Sequence, residues 1–300
     1  MAHIIDGKAL ASHLMDQLRP WVARFTQTYG TAPNLTVVRV GHDPASAVYV
    51  NAKKNQASTL GLDFRDVHIT DPITQDALQT YIQTLSHTSD VHGMIVQLPL
   101  PSPLQATPVL QCIAPEKDVD GLHPLNSGLL FQGSQEGFVP CTPLGCLFLL
   151  KSILPSLSGI HVAIVGRSIL VGRPLAALLL TQDCTVTTLH SQSVGIAGHI
   201  RRADIVIAAI GKPHFIKGPW LKEGAIVLDV GINRIINAIG HAALCGDVDF
   251  GTALDHVRAI TPVPGGVGPM TVACLMHNTV KSAYRSKGTA WSLPDPQFQW

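Results

Sequence analysis

The sequence predicts an α/β protein of two α/β domains, the second built on a parallel, doubly wound sheet, with a cleft between the two. Three observations carry this. Strand-length apolar runs alternate with helix-length amphipathic segments. A window rich in proline and glycine, residues 99–143, separates one such series from another. In the second series a glycine-bounded turn, residues 166–172, joins a strand to a helix.

In the first series Leu10, Leu14, Leu18, Val22 and Phe25 recur at helical spacing until Gly30 and Pro33 break the pattern. Residues 35–40 then read as a strand. Asp43 and Pro44 suit the N-cap and first position of a helix that Gly61 would end, and Thr74 suits the cap of another carrying Leu78, Ile82 and Leu85. The apolar run 93–98 is the next strand. Periodicity fades over 99–143, so this stretch is expected to hold the domain boundary and to line the cleft. The second series reads as strand 161–165, a helix from Arg173, and strands 185–189, 204–210 and 225–230. A last helix, residues 269–285, puts Val272, Leu275, Met276 and Thr279 on one stripe that can pack back on the first domain. The expected division is a first domain, 1–120, completed by a helix at about 269–287, a second domain, 140–268, and an irregular tail, 288–300.

Composition removes several classes of function. Apolar residues make up 46% of the 300 and charged residues 14%, against about 25% charged in an average globular protein, so part of the surface is expected to be covered by another subunit. A net charge of +1 with no basic stripe argues against nucleic acid as a partner. No apolar stretch reaches the roughly 18 residues of a membrane span, and the start MAHIIDGKAL lacks the layout of a signal peptide, which places the chain in the cytoplasm. The 6 cysteines form no CxxC pair and the 14 histidines no HExxH or HxxxH, so free thiols and no metal are expected. The GxxxxGK[ST] loop of ATP-driven enzymes is also missing.

In the turn 166–172, GRSILVG, the glycines Gly166 and Gly172 would let the backbone approach a pyrophosphate at a helix N-terminus, although the spacing is not GxGxxG and an ordinary α/β turn can look alike. The next strand ends Leu189, His190, Ser191, where NAD enzymes of this architecture usually carry an acid for the ribose. With no carboxylate there to repel a 2′-phosphate and with Arg167 offering a planar fork of donors, NADP is favoured over NAD. The alternative is that Arg167 is a solvated loop residue and His190 a strand end. Gly211 and Lys212, and Gly231 and Ile232, follow later apolar strands at the same edge.

Tyr49 and Lys53, four residues apart on a helix, share a face with Ser46 a turn earlier. Such a pair is more often a core edge with a snorkelling lysine than a site.

The whole set of motifs decides between these readings. VGHDPASAVYVNAKK (40–54), VQLPLP (96–101), PEKDVDGLHPLNSG (115–128), PCTPLG (140–145), GRSILVGRP, GKP, DVGIN, GDVDF (246–250) and TPVPGGVGPMT (261–271) together resemble the bifunctional methylenetetrahydrofolate dehydrogenase/methenyltetrahydrofolate cyclohydrolase family, in order and over residues 4–279. The resemblance implies a Rossmann-like second domain, NADP as cofactor, tetrahydrofolate derivatives as substrates and a homodimer. It implies that Lys53 is the key catalytic residue, supported by Gln97 between Val96 and Leu98, with Tyr49 against the aromatic part of the folate and Asp120 holding the pterin. Pro262, Val263, Pro264, Gly265 and Gly266 would wall the same cleft. For the nucleotide it implies Arg167, Ser168, Ser191 and Ile232, within the region reached from spacing through Gly166, Val171 and Gly172.

Residue chemistry fits these roles. A carboxylate can take two neighbouring pterin N–H donors, and a neutral lysine can take a proton from an attacking water. Whether Lys53 acts as base or only positions water stays open. Gln192 and Ser193 depart from the family, which commonly shows a basic residue after its His-Ser, and this predicts weaker NADP binding. The segment IINAIGHAALC, 235–245, lacks a lysine often seen there, a surface variation. A dehydrogenase without cyclohydrolase activity would be expected to have lost one of Tyr49, Lys53, Gln97 or Asp120. A non-catalytic nucleotide-binding protein would need a lost lysine or a blocked cleft.

Overall fold

Parallel strands joined by helices make up both halves of the computed structural model, which describes residues 2–236 and 241–289. Residues 12–141 and 272–289 form one compact unit, and residues 2–11 and 142–271 the other. The sequence-based division differs at its amino end. The two-residue strand β1 (His3–Ile4) belongs to the second unit, because it hydrogen-bonds in parallel to a strand more than 250 positions later, His3 opposite Ala259 and Ile4 opposite Ile260. Helix α1 (Gly7–Tyr29) follows. Its start is fixed by the Asp6 carboxylate, which accepts the Lys8 and Ala9 N–H groups at 2.9 and 3.0 Å.

In the first unit, β2 (Asn34–Val40) is the centre of a three-stranded parallel sheet. Helix α2 (Pro44–Leu60) starts where the sequence places it, the Asp43 carboxylate accepting Ser46 N–H at 2.8 Å, and ends at Gly61 in the left-handed region. The flanking strands are β3 (Asp63–Ile69) and β4 (Gly93–Val96), with α3 (Gln75–Ser86) between them, capped by Thr74. Strand β3 is absent from the sequence reading because DFRDVHI has no continuous apolar face, and none of its residues is fully buried. Two short helices, α4 (Ala106–Leu110) and α5 (Pro124–Phe131), lie in the stretch expected to be aperiodic. At five and eight residues they are too short to show a period.

Helix α6 (Cys141–Lys151) leads into the second unit, whose strands are β5 (His161–Val165), β6 (Thr185–Leu189), β7 (Ile205–Ala208) and β8 (Ala225–Asp229). Helices α7 (Gly172–Leu180) and α8 (Ile196–Arg202) make the first crossovers. A hairpin of β9 (Asn233–Ile236) and β10 (Ala242–Cys245), the short α9 (Phe250–Ala253) and β11 (Val257–Ile260) complete it. The sheet runs β1-β11-β8-β7-β5-β6, all parallel, so from β6 inward the order reads second, first, third, fourth, fifth. This is a doubly wound sheet whose direction reverses between β5 and β7, and the carboxyl ends of those two strands define the crevice where ligands bind in such folds. The core strands β5, β7 and β8 are buried almost throughout, as a sheet covered on both faces requires.

The last helix, α10 (Val267–Ser286), has its first residues in the second unit and the remainder, from Val272, in the first. There Asn278 Nδ2 donates to Val119 O and Val139 O at 2.9 and 3.1 Å, Ser282 Oγ contacts His92 O at 2.6 Å, and the Tyr284 hydroxyl donates to Trp21 O at 2.9 Å. Gly288 and Thr289 are the described part of the expected tail; its other residues lie outside the described ones. The same holds for 237–240 within the segment expected as surface variation.

Candidate functional sites

The first site grows from parallel pairing. Because β2 and β4 run side by side in one direction, the start of α2 and the residue following β4 come to the same end of the sheet. Gln97, held by Gln97 N–H to Val38 O at 2.8 Å, therefore meets Lys53 on the third turn of α2, and Lys53 Nζ donates to Gln97 Oε1 at 2.8 Å. The Gln97 amide group donates in turn to Leu98 O at 2.7 Å, which fixes which end of the side chain faces the lysine. Val96 is buried and Leu98 half-buried beside it. Tyr49, on the Lys53 face of α2, is 46% exposed and presents its ring to solvent.

Burial pulls the Lys53 amine below the usual lysine range, and the Asp120 carboxylate opposes that shift by favouring the ammonium form. Asp120 sits in a tight turn. Gly121 N–H donates to Asp118 O at 3.0 Å, and Gly121 has φ +69 with the Pro140 nitrogen 2.7 Å from where a Cβ would stand. Asp118, fully buried, accepts His123 N–H at 2.7 Å and Asn126 Nδ2 at 2.8 Å; burial pushes its carboxyl up, against those two bonds. The Cys141 thiol, also buried, is raised well above its ordinary range by burial and then by Asp120. Asp118, Asn126 and Asn278 thus brace the chain around Asp120. The sequence reading missed all three, although two of them lie within the quoted motif 115–128.

The second site lies at the carboxyl edge of the doubly wound sheet. At the end of β5 a Cβ on Gly166 would stand 2.2 Å from Ala209 O, and one on Gly172 would stand 2.1 Å from Gly166 O. The turn is a cradle that only glycine can line, opening onto the N-terminus of α7. Ser168 shapes it: its hydroxyl accepts Val171 N–H at 3.1 Å and its carbonyl accepts Arg173 N–H at 3.0 Å. Arg167 is exposed, and no carboxylate follows β6. His190 there accepts Gln192 N–H on Nδ1 at 3.2 Å, and Ser191 is exposed. After β7, Gly211 has φ +65 and Lys212 lies 5.8 Å over the Phe215 ring. Ile232, after β8, is 53% exposed. Pro262, Val263, Pro264, Gly265 and Gly266 follow β11 in this unit, with Gly266 N–H closing onto Pro262 O at 2.9 Å.

Among the described residues no group of three or more His, Cys, Asp or Glu side chains could hold a metal, and no helix is long and apolar enough to cross a membrane.

Comparison with known proteins also divides the chain in two, with bounds that follow the sequence rather than the compact units. The catalytic domain of the tetrahydrofolate dehydrogenase/cyclohydrolase family matches residues 5–120, and the NAD(P)-binding domain of that family matches 140–287. The chain is 50% identical over 295 residues to the bifunctional protein FolD 2 of Paracoccus denitrificans, covering 98% of this chain and 96% of that one. Among solved structures, the bifunctional FolD methylenetetrahydrofolate dehydrogenase/cyclohydrolase of Campylobacter jejuni superposes with a TM-score of 0.91 at 41% identity, covering 95% and 99% of the two chains. The Trypanosoma brucei enzyme, solved with NADP cofactor and inhibitor, superposes with a TM-score of 0.90 at 37% identity, covering 95% and 98%. With both domain models matched in order across nearly its whole length, the chain belongs to the tetrahydrofolate dehydrogenase/cyclohydrolase family.

Proposed function

We propose that this chain oxidises 5,10-methylenetetrahydrofolate to 5,10-methenyltetrahydrofolate with NADP and hydrolyses that product to 10-formyltetrahydrofolate. The observation that carries the reading is the desolvated amine of Lys53 held on Gln97 within the field of Asp120.

NADP fits the residues present: the glycine cradle at 166–172 leaves room for backbone to approach a pyrophosphate, and the exposed Arg167 in the same turn offers a cation for a 2′-phosphate. Bound there, oxidised nicotinamide supplies the acceptor for the hydride leaving the methylene carbon. Everything else falls to the chain. Asp120 takes neighbouring pterin N–H donors in a two-point contact that fixes the ring, and Tyr49 offers an exposed aromatic face to the remainder of the folate.

Hydrolysis requires a water oxygen to bond to the cationic methenyl carbon with loss of one water proton, and then the bond from that carbon to N5 to break as the hydroxyl loses its proton to become the formyl carbonyl and N5 gains one. Lys53, with its pKa lowered by burial, is neutral in a larger fraction of molecules than a solvated lysine and accepts the water proton on Nζ. Gln97 Oε1 accepts one amine hydrogen and so turns the nitrogen lone pair toward the water.

The protein acts as a cytoplasmic homodimer. Its low content of charge and the absence of disulfides among the described residues support that reading.

The test is a Lys53→Met variant assayed in parallel for methenyl formation and methenyl hydrolysis, with folate affinity measured separately. Hydrolysis is lost, dehydrogenation falls less, and folate still binds. A wild-type rate of hydrolysis in the folded variant overturns the role of Lys53, and a wild-type protein unable to reduce NADP overturns the function.

A further inference from the structure

The motif 246–250, GDVDF, has no part in the chemistry above, yet its first acid is the most thoroughly bonded carboxylate described. Asp247 has 0% exposure. Its Oδ2 accepts Ile210 N–H at 2.7 Å and Gly211 N–H at 3.0 Å, and its Oδ1 accepts Lys212 N–H at 2.8 Å and Asn233 Nδ2 at 2.9 Å. Three successive backbone donors wrapped round one anion form a nest, the geometry proteins also use for phosphate. Here the chain's own carboxylate fills it.

The place of this nest is what gives it meaning. Residues 210–212 follow β7, on one side of the point where the sheet reverses direction, and Asn233 ends the turn that contains Gly231 and Ile232 after β8. One buried side chain thus ties together two turns that both flank the nucleotide crevice. The tie is itself anchored. Asp229, at the end of β8, accepts Asp247 N–H at 2.9 Å, Val248 N–H at 2.8 Å and Gly231 N–H at 3.0 Å. The fit allows no slack, since a Cβ on Gly231 would stand 2.2 Å from Asp247 Oδ1 and one on Gly246 would stand 1.9 Å from Asp229 Oδ2.

We infer that Asp247 is a positioning residue of the dinucleotide site: it occupies the nest after β7, so that the phosphates are left to the glycine cradle at 166–172, and it sets the spacing of the turns carrying Gly211, Lys212, Gly231 and Ile232. The inference rests on the dinucleotide reading given above. Because hydrolysis of the methenyl substrate transfers no hydride, the two activities of one protein report separately on this role.

The experiment compares wild type with Asp247→Asn and Asn233→Leu, measuring NADP affinity by calorimetry and the ratio of dehydrogenase to cyclohydrolase rates at fixed folate. Asn at 247 keeps the shape but turns a donor toward the nest, whereas Leu at 233 removes only the link between the two turns. Asp247→Asn weakens NADP binding at least 10-fold and lowers the rate ratio by a similar factor, and Asn233→Leu shifts both in the same direction by at least 3-fold. NADP affinity within 2-fold of wild type in folded variants overturns the inference, as does an equal fall of both activities, which marks a role in folding alone. If Asp247→Asn does not fold, Asn233→Leu decides. A wild type that binds no NADP refutes the function itself and is distinguishable from either result.

Discussion

Replacing Gln97 by Met isolates the Lys53 contact, because Met keeps the unbranched shape and loses both polar ends. Two bonds disappear: the 2.8 Å acceptor for Lys53 Nζ and the 2.7 Å donor to Leu98 O. A hydrogen bond contributes about 0.5–1.5 kcal/mol when both partners are neutral and about 1.5–3 kcal/mol when one is charged. The lysine passes between those states during hydrolysis, so about 1–2.5 kcal/mol of positioning is lost at the step where the amine takes the proton. At about 1.4 kcal/mol per factor of ten, kcat for methenyl hydrolysis falls roughly 5- to 60-fold. Gln97 is 9% exposed, so the carbonyl left without its donor costs a further ~1 kcal/mol of stability, which a urea midpoint reads independently. The decisive assay follows disappearance of methenyltetrahydrofolate at saturating concentration, with folate affinity measured on the same sample. Wild-type kcat with wild-type affinity would refute the claim that Gln97 orients the amine.

Other outcomes follow from the same geometry. Arg167→Ala costs roughly 1.5–3 kcal/mol in NADP binding, the range for hydrogen bonds to charged groups, and little in NAD binding; equal losses for the two cofactors in a titration would show that Arg167 does not read the 2′-phosphate. Burial, reinforced by Lys287 and Lys117, lowers His92 from 6.5 to about 4, and its Nδ1 accepts Asn34 N–H at 3.0 Å. The folded pKa lies below the unfolded one, so the stability His92 contributes is complete above pH 6.5 and is lost as pH falls toward 4. An NMR titration of that ring with a midpoint at 6 or above would contradict the burial argument. Sedimentation at micromolar concentration gives a species of twice the 32.0 kDa chain, and a persistent monomer at high concentration refutes the dimer.

Local signals made the helices of the first unit readable. Asp43, Pro44 and Gly61 mark α2, and Thr74 marks α3, because caps act through neighbours in sequence. Strand β3 was not legible: it is an edge strand whose seven residues include three charged ones, and only its pairing with β2 makes it a strand. Helix α5 hides for a different reason. Its N-cap is His123, which accepts Leu125 N–H through Nδ1, a residue type outside the usual caps. In the sites, Tyr49 and Lys53 could be paired from a spacing of four. The partner of Lys53 could not be found that way, since Gln97 lies 44 positions away and arrives only through the register of β2 with β4. Asp247 is harder still, because its bonds reach back 35 to 37 positions to backbone N–H groups, which no side-chain pattern announces.

The order in which the chain is threaded bears on its synthesis. Strand β1 is made before the rest of its sheet, and its pairing partner β11 follows more than 250 residues later. At about 5–20 residues per second, those few amino-terminal residues wait tens of seconds without a sheet to join. The other unit fares no better, for the residues that close over Val119, His92 and Trp21 are Asn278, Ser282 and Tyr284, near the end of the described chain. Nascent chains of this protein therefore carry two unfinished cores at once, each incomplete until β11 or α10 has been made. A gene split at residue 141 would yield two fragments, each lacking a piece encoded in the other.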